Sequence, residues 1–310
     1  MSIVDCLRGE SAGRLRREAG RHALVDAIPF TLPVASHESP ALMAAFSIDA
    51  SAAAELLPGD EVHPLRLWGE RALLLVSVVD YTSTNIGRYI EFSVAIACTH
   101  GPRAAPALMP ALPLAQRLYG TGQYVIDLPV SSEVSVKGGK GIWGMPKHQA
   151  NLDFVIAPRK VSSQYDLDGQ MCVRIEVDRP RFEALPLSLA TSNYCAFRGM
   201  LMKSNISFRG RAGFNLPLTR SARLQIGGHP RVQALKRLGI SSRPLLSGYF
   251  PSTEGILDDH IDSWFLSFKA PPSVVPEGLE SVAGLGQSQE WLEPPQDPAL
   301  DEPGAQVAKP

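Results

Sequence analysis

KGGKGIWGMPKHQANL, residues 137–152, packs four glycines, a tryptophan, a Met-Pro step and three lysines into sixteen positions. Glycine lets a backbone turn tightly or approach a neighbour closely. Pro146 fixes its own φ and drives Met145 towards an extended conformation. Lys147 therefore follows a stiff, mostly apolar step, Trp143-Gly144-Met145-Pro146. A solvated lysine has no need of that setting, whereas a lysine held still and partly dehydrated does. The expectation is a nucleophilic Lys147, with Trp143 and Met145 in the apolar wall beside it.

Within the stretch, Gly139-Lys140-Gly141-Ile142-Trp143-Gly144 is a literal G-x-G-x-x-G. A dinucleotide site needs a helix to begin there and an acidic residue about 20 positions on. Met-Pro and then the strand-like NLDFVI follow instead, so no nucleotide loop is expected. The glycines read as an approach that delivers Trp143, Met145, Pro146 and Lys147 into a cavity.

Upstream, two strands are predicted. Ala72–Asp80 is a nearly continuous apolar run, as in a strand covered on both sides. In Arg88–Cys98 the residues alternate. Ile90, Phe92, Val94, Ile96 and Cys98 share one face, and Tyr89, Glu91, Ser93, Ala95 and Ala97 share the other. The second face is small enough for Glu91 to project into a cavity, although alternation alone leaves water as the alternative. Asp49 reads as the cap of a short helix that Pro58-Gly59 closes. Downstream come Gln123–Val130, Asn151–Ile156, Met171–Val177, residues 222–227 and Ser247–Phe250 as strands, 183–209 as extended with bends, and short helices at Leu114–Tyr119 and Val232–Leu238. Few helices and no regular β-α alternation give an α+β class, mainly antiparallel.

The ends differ from the middle. Residues 1–28 are expected to be an amphipathic helical extension through Leu15, Ala19, His22, Ala23 and Val25, ahead of a domain over 29–269. From Ala270 to Pro310, Pro and Gly make up 12 of 41 residues and the local net charge is −6, so a disordered acidic tail is expected. The whole chain, 310 residues with net charge −1, gives no reason to expect nucleic acid or a membrane as partner. Its four cysteines (Cys6, Cys98, Cys172, Cys195) have no C-x-x-C spacing and read as buried thiols of a reducing compartment. No histidine spacing calls for a metal, no cofactor motif is present, and a cytoplasmic protein is expected.

The chemistry open to Lys147 with Glu91 is imine formation. A neutral amine attacks a ketone, and the protonated imine draws electrons from a breaking bond at the neighbouring carbon. Burial lowers a lysine pKa by up to about 3–5 units, and a carboxylate positions substrate or moves protons.

GMPKHQANL resembles the signature of the acetoacetate decarboxylase family, in which Pro and the Schiff-base lysine precede a second, often basic residue. ASAAAELLPG, TSTNIGRYIEF, RSARLQI and HPRVQAL resemble further segments of that family, so the likeness spans roughly residues 40–265. It implies an antiparallel β-barrel-like core with a few peripheral helices, assembled as a homo-oligomer. It also implies Schiff-base lyase chemistry on a small keto acid, with Lys147 as nucleophile and Glu91 as its carboxylate. Trp143, Met145, His148 and Tyr249 would then line the substrate site. Three positions depart from the pattern. His148 stands where the family has a second lysine, Val76 where it has another glutamate, and Ser39 near where it has an arginine. Lys137 or Lys140 would have to replace that arginine. The resemblance favours decarboxylation of a β-keto acid. Aldol condensation with dehydration on an α-keto acid, or non-catalytic ligand binding, are the alternatives.

Overall fold

Alternating apolar and polar residues make strands that bury one face, and this chain is built mostly of them. The computed structural model describes residues 21–111, 115–116 and 118–267. In chain order the first elements are β1 (Arg21–Val25), β2 (Ile28–Leu32), β3 (Val34–Asp49), helix α1 (Ala50–Ala54), β4 (Val62–Pro64), β5 (Arg71–Tyr81), β6 (Ser83–Thr84), β7 (Tyr89–His100) and β8 (Gly122–Val130). Helix α2 (Glu133–Trp143) follows, then β9 (Lys147–Gln149), β10 (Asn151–Leu152), β11 (Val155–Ile156), β12 (Lys160–Leu167) and β13 (Gln170–Asp178). The hairpin β14 (Leu185–Phe197) and β15 (Met200–Phe214), β16 (Ala222–Ile226), α3 (Gln233–Lys236) and the long β17 (Pro244–Phe265) complete the described chain.

Seven strands close a ring in the order β3-β5-β7-β8-β14-β15-β17 and back to β3. Closure removes the unpaired edges that an open sheet would expose. All its pairings are antiparallel except β8 with β14. That exception opens a seam. The first part of β8 (Gln123, Tyr124) pairs with β14, while its end (Leu128–Val130) pairs with β9, also in parallel. Lys147, the first residue of β9, thus stands where β8 changes partner. A smaller sheet, β10-β12-β13-β16, packs on the barrel through a core that joins Phe92, Val78 and Leu42 to Tyr165, Val173 and Ile175. The α+β barrel with short helices is the architecture expected from sequence.

Several local expectations hold. The Asp49 side chain accepts from the Ala52 N–H at 2.9 Å and caps α1. Gly239, at φ 56°, follows the short basic helix. Cys98, Cys172 and Cys195 are buried.

Others need correction. Residues 21–25 form a strand, not a helix, because Asp26 and Ala27 both take positive φ (49° and 62°) and turn β1 back on β2 with a two-residue loop. Residues 1–20 of that segment, and the expected tail over 270–310, lie outside the described residues. Residues 115–116 and 118–119 are turns rather than helix, and Leu114 and Arg117 are not described. β5 alternates buried and half-buried residues, so it is not fully covered on both faces. Residues 151–156 split into two short pieces, and β12 had no counterpart in the sequence reading.

The largest correction is α2. The glycine-rich stretch is not an extended approach but a helix containing Gly138, Gly139 and Gly141. Each interior glycine costs a helix roughly 0.5–1 kcal/mol relative to alanine. Close packing accounts for them: a Cβ on Gly138 would lie 2.5 Å from the Phe30 ring, and one on Gly141 would lie 2.6 Å from Val25. The β1–β2 hairpin therefore rests directly on the backbone of α2.

Candidate active site

Gly144 ends α2 in the left-handed conformation at φ 64°, and the Met145 N–H returns to the Gly139 carbonyl at 3.0 Å. The Lys147 N–H then bonds the Met145 carbonyl at 2.7 Å, closing a three-residue turn around Pro146. This stiff connection sets the start of β9. Trp143 and Met145, each 4% exposed, lie in an apolar cluster with Phe30, Leu128 and Val125. The Trp143 indole donates to the Asp258 carbonyl at 2.7 Å, fixing the end of α2 against β17.

Lys147 is 3% exposed. Its Nζ lies 2.7 Å from Glu91 Oε2 and donates to Ser135 Oγ at 2.8 Å. It also sits 5.3 Å from the centre of the Tyr89 ring. Glu91 comes from β7 and Lys147 from β9, two strand spacings apart, or about 10 Å. The register makes the meeting possible: Glu91 pairs with Val130, and Leu128 pairs with Lys147, so all four side chains rise from one face. The lysine stem runs over Gly139, where a Cβ would overlap Lys147 Cδ. Tyr89 is buried against Tyr81, ring centres 4.6 Å apart. Burial, then the Glu91 charge, pushes its phenol well above the ordinary range, and a hydrogen bond with Ser135 offsets part of that rise.

The other predicted residues lie elsewhere. His148 follows Lys147 in the strand and points to the opposite face. There it meets Asp127 Oδ1 at 2.9 Å. The same carboxylate accepts from Arg231 Nε at 2.8 Å and from the Tyr165 hydroxyl at 2.5 Å. Burial alone would raise the Asp127 pKa, but the His148 hydrogen bond, the Arg231 charge and the Tyr165 hydroxyl outweigh it and hold the carboxyl below its usual value. Tyr249 is also apart. Glu91 shares a cross-strand row with Val79, Ala41 and Phe250, whereas Tyr249 shares the neighbouring row with Phe92, Val78 and Leu42, which faces the other way. It lies under the Arg179 guanidinium at 5.3 Å. Lys137 pairs with Glu133 at 3.3 Å and Asp26 at 3.7 Å. Val76 is buried in the main core, and the buried Ser39 hydroxyl donates to the His37 carbonyl at 3.1 Å.

Ser135 was not legible as a site residue while the stretch was read as irregular. Once it is helical, Ser135, Gly138, Gly139, Ile142 and Trp143 fall at the spacing of one buried face. Among the described residues no group of three or more His, Cys, Asp or Glu side chains is placed to hold a metal, and no helix is long and apolar enough to cross a membrane. Two open clefts, about 550 and 670 Å³, border the smaller sheet around Lys160, Asp178 and Arg220 or Arg179. Neither is lined by Lys147 or Glu91, so it is the buried ion pair, not cleft size, that marks the site.

The fold has counterparts among known proteins. The family model described as acetoacetate decarboxylase (ADC) matches residues 20–209. Acetoacetate decarboxylase from Legionella pneumophila subsp. pneumophila str. Philadelphia 1 superposes with a TM-score of 0.53 at 11% identity, covering 75% of this chain and 88% of its own. A second acetoacetate decarboxylase structure gives 0.54 at 14% identity, covering 76% and 91%. The enduracididine biosynthesis enzyme MppR, complexed with pyruvate, gives 0.53 at 13% identity, covering 79% and 94%. A search of curated proteins finds no match.

Proposed function

Because the chain belongs to the acetoacetate decarboxylase family, we propose that it is a Schiff-base lyase that decarboxylates a small β-keto acid through Lys147. The observation that carries this reading is the buried Lys147 amine 2.7 Å from the Glu91 carboxylate. The ammonium passes a proton to Glu91, and the free amine attacks the keto carbon. Water leaves and an iminium forms. The bond to the carboxylate breaks, its electron pair moves towards nitrogen, and carbon dioxide departs. A proton from solvent, relayed by Glu91, reaches the enamine carbon, and hydrolysis of the product imine restores the lysine.

The test is borohydride reduction in the presence of acetoacetate, followed by peptide mass mapping. A reduced adduct is expected on Lys147 and is absent in Lys147→Ala. Absence of any adduct with acetoacetate or pyruvate would leave a ligand-binding protein instead.

The second reading is aldol condensation with dehydration on an α-keto acid. It is favoured by Ser39 and Val76, which stand where the family resemblance places an arginine and a glutamate. It also fits the presence of pyruvate in the MppR complex. Release of carbon dioxide during turnover, measured without borohydride, separates the two.

A further inference from the structure

We propose that Ser135, in hydrogen-bond contact with Lys147, is a catalytic residue that carries the proton between the Lys147 nitrogen and the substrate oxygen while the carbinolamine forms. This rests on the Schiff-base reading of Lys147 and assigns a step that Glu91 alone leaves unfilled.

The first proton of the ammonium goes to Glu91. When the neutral amine then attacks, the new C–N bond leaves a positive nitrogen and a negative oxygen on adjacent atoms. One proton must cross from nitrogen to oxygen. Direct transfer would pass through a strained four-membered ring, and Glu91 already holds a proton. A hydroxyl solves this by accepting from nitrogen as it donates to oxygen, so that it is unchanged at the end. Glu91 then protonates the carbinolamine hydroxyl, water departs, and the iminium and carboxylate remain.

The geometry points to Ser135 for that hydroxyl. It is 1% exposed, and its Oγ is 2.8 Å from Nζ. It shares the buried face of α2 with Gly139, over which the lysine stem lies. Solvent is therefore poorly placed to do the same work. Tyr89 lies beside the pair, its ring centre 5.3 Å from Nζ, and burial and the Glu91 charge keep its phenol neutral. The contact with Nζ already presents the serine oxygen to the reacting nitrogen.

The experiment follows 2,4-pentanedione, a β-diketone that forms an absorbing enaminone with a primary amine. It is run at low reagent concentration, where rate is proportional to concentration. We expect Ser135→Ala to slow adduct formation by about 100-fold, within the range for a positioned proton-transfer group, with the final extent of adduct unchanged. Ser135→Thr, which keeps the hydroxyl, returns the rate to within a few-fold of wild type. The solvent deuterium isotope effect seen in wild type changes in Ser135→Ala. An alanine variant as fast as wild type overturns the proposal and leaves the Schiff-base reading standing, as does a threonine variant as slow as alanine. A wild-type protein that forms no adduct overturns both.

Discussion

Lys147 depends on a residue with no side chain. A Cβ at Gly139 would displace the lysine stem, which is flexible and can yield, rather than a rigid wall. Gly139→Ala is therefore expected to fold, aided by up to about 1 kcal/mol of helix propensity, and to lose reactivity. A displacement near 1 Å costs on the order of 100-fold in rate. Adduct formation with 2,4-pentanedione alongside thermal melting checks this, and a variant that reacts like wild type sinks it. Glu91→Gln keeps the shape and removes the base, so a fall of at least about 100-fold in turnover is expected, alongside a loss of stability from leaving the Lys147 charge unpaired; turnover is measured well below the melting transition so that the two are separated. At this scale the sequence was informative about the pair and misleading about its surroundings. Lys147 stood out through the stiff step before it, and Glu91 through the alternation of β7. His148 and Tyr249 belong to opposite faces of their strands from the site, which is decided by register and cannot be read from a residue's neighbours in sequence.

Among the elements, α2 shows how a helix can hide. Three glycines in its interior argue against helix on propensity, and packing against Phe30, Val25 and Lys147 overrides them. The signal that would have revealed it is the spacing of Ser135, Gly138, Gly139, Ile142 and Trp143, a helical face made of small residues rather than large ones. The β1–β2 hairpin was missed for a related reason: Ala23 and Val25 fit a helical spacing as well as a strand's alternation, and the turn rests on Asp26 and Ala27 at positive φ, which neither residue announces. By contrast the Asp49 cap, a local device, was visible. Gly138→Ala presses on an aromatic ring that has little room, so a loss of about 1–3 kcal/mol is expected from overpacking. Urea denaturation measures it, and a variant at least as stable as wild type would show that the hairpin does not bear on α2 as described.

For the molecule as a whole, Asp127 ties the two sheets together. It receives Tyr165 from β12, His148 from β9 and Arg231 from the segment before α3. Its folded pKa lies below the unfolded value of about 3.9. The stabilisation is therefore present above that pH and is lost as pH falls through the folded value. Asp127→Asn should cost about 3 kcal/mol at neutral pH and should flatten the decline in stability below about pH 4. Urea midpoints measured from pH 7 to pH 3 check the sign: equal slopes for wild type and variant would contradict it. Such a tie is invisible in sequence, because Asp127 and Arg231 are more than a hundred positions apart.

The enclosure of Lys147 carries a kinetic consequence. An amine that is 3% exposed, its stem lying under α2, meets a ligand only when its surroundings part. Reagents at low concentration then react at a rate set by chemistry multiplied by the open fraction. At high concentration every reagent, fast or slow, should approach one common ceiling, the frequency of opening. The height of that ceiling would measure how often the site opens.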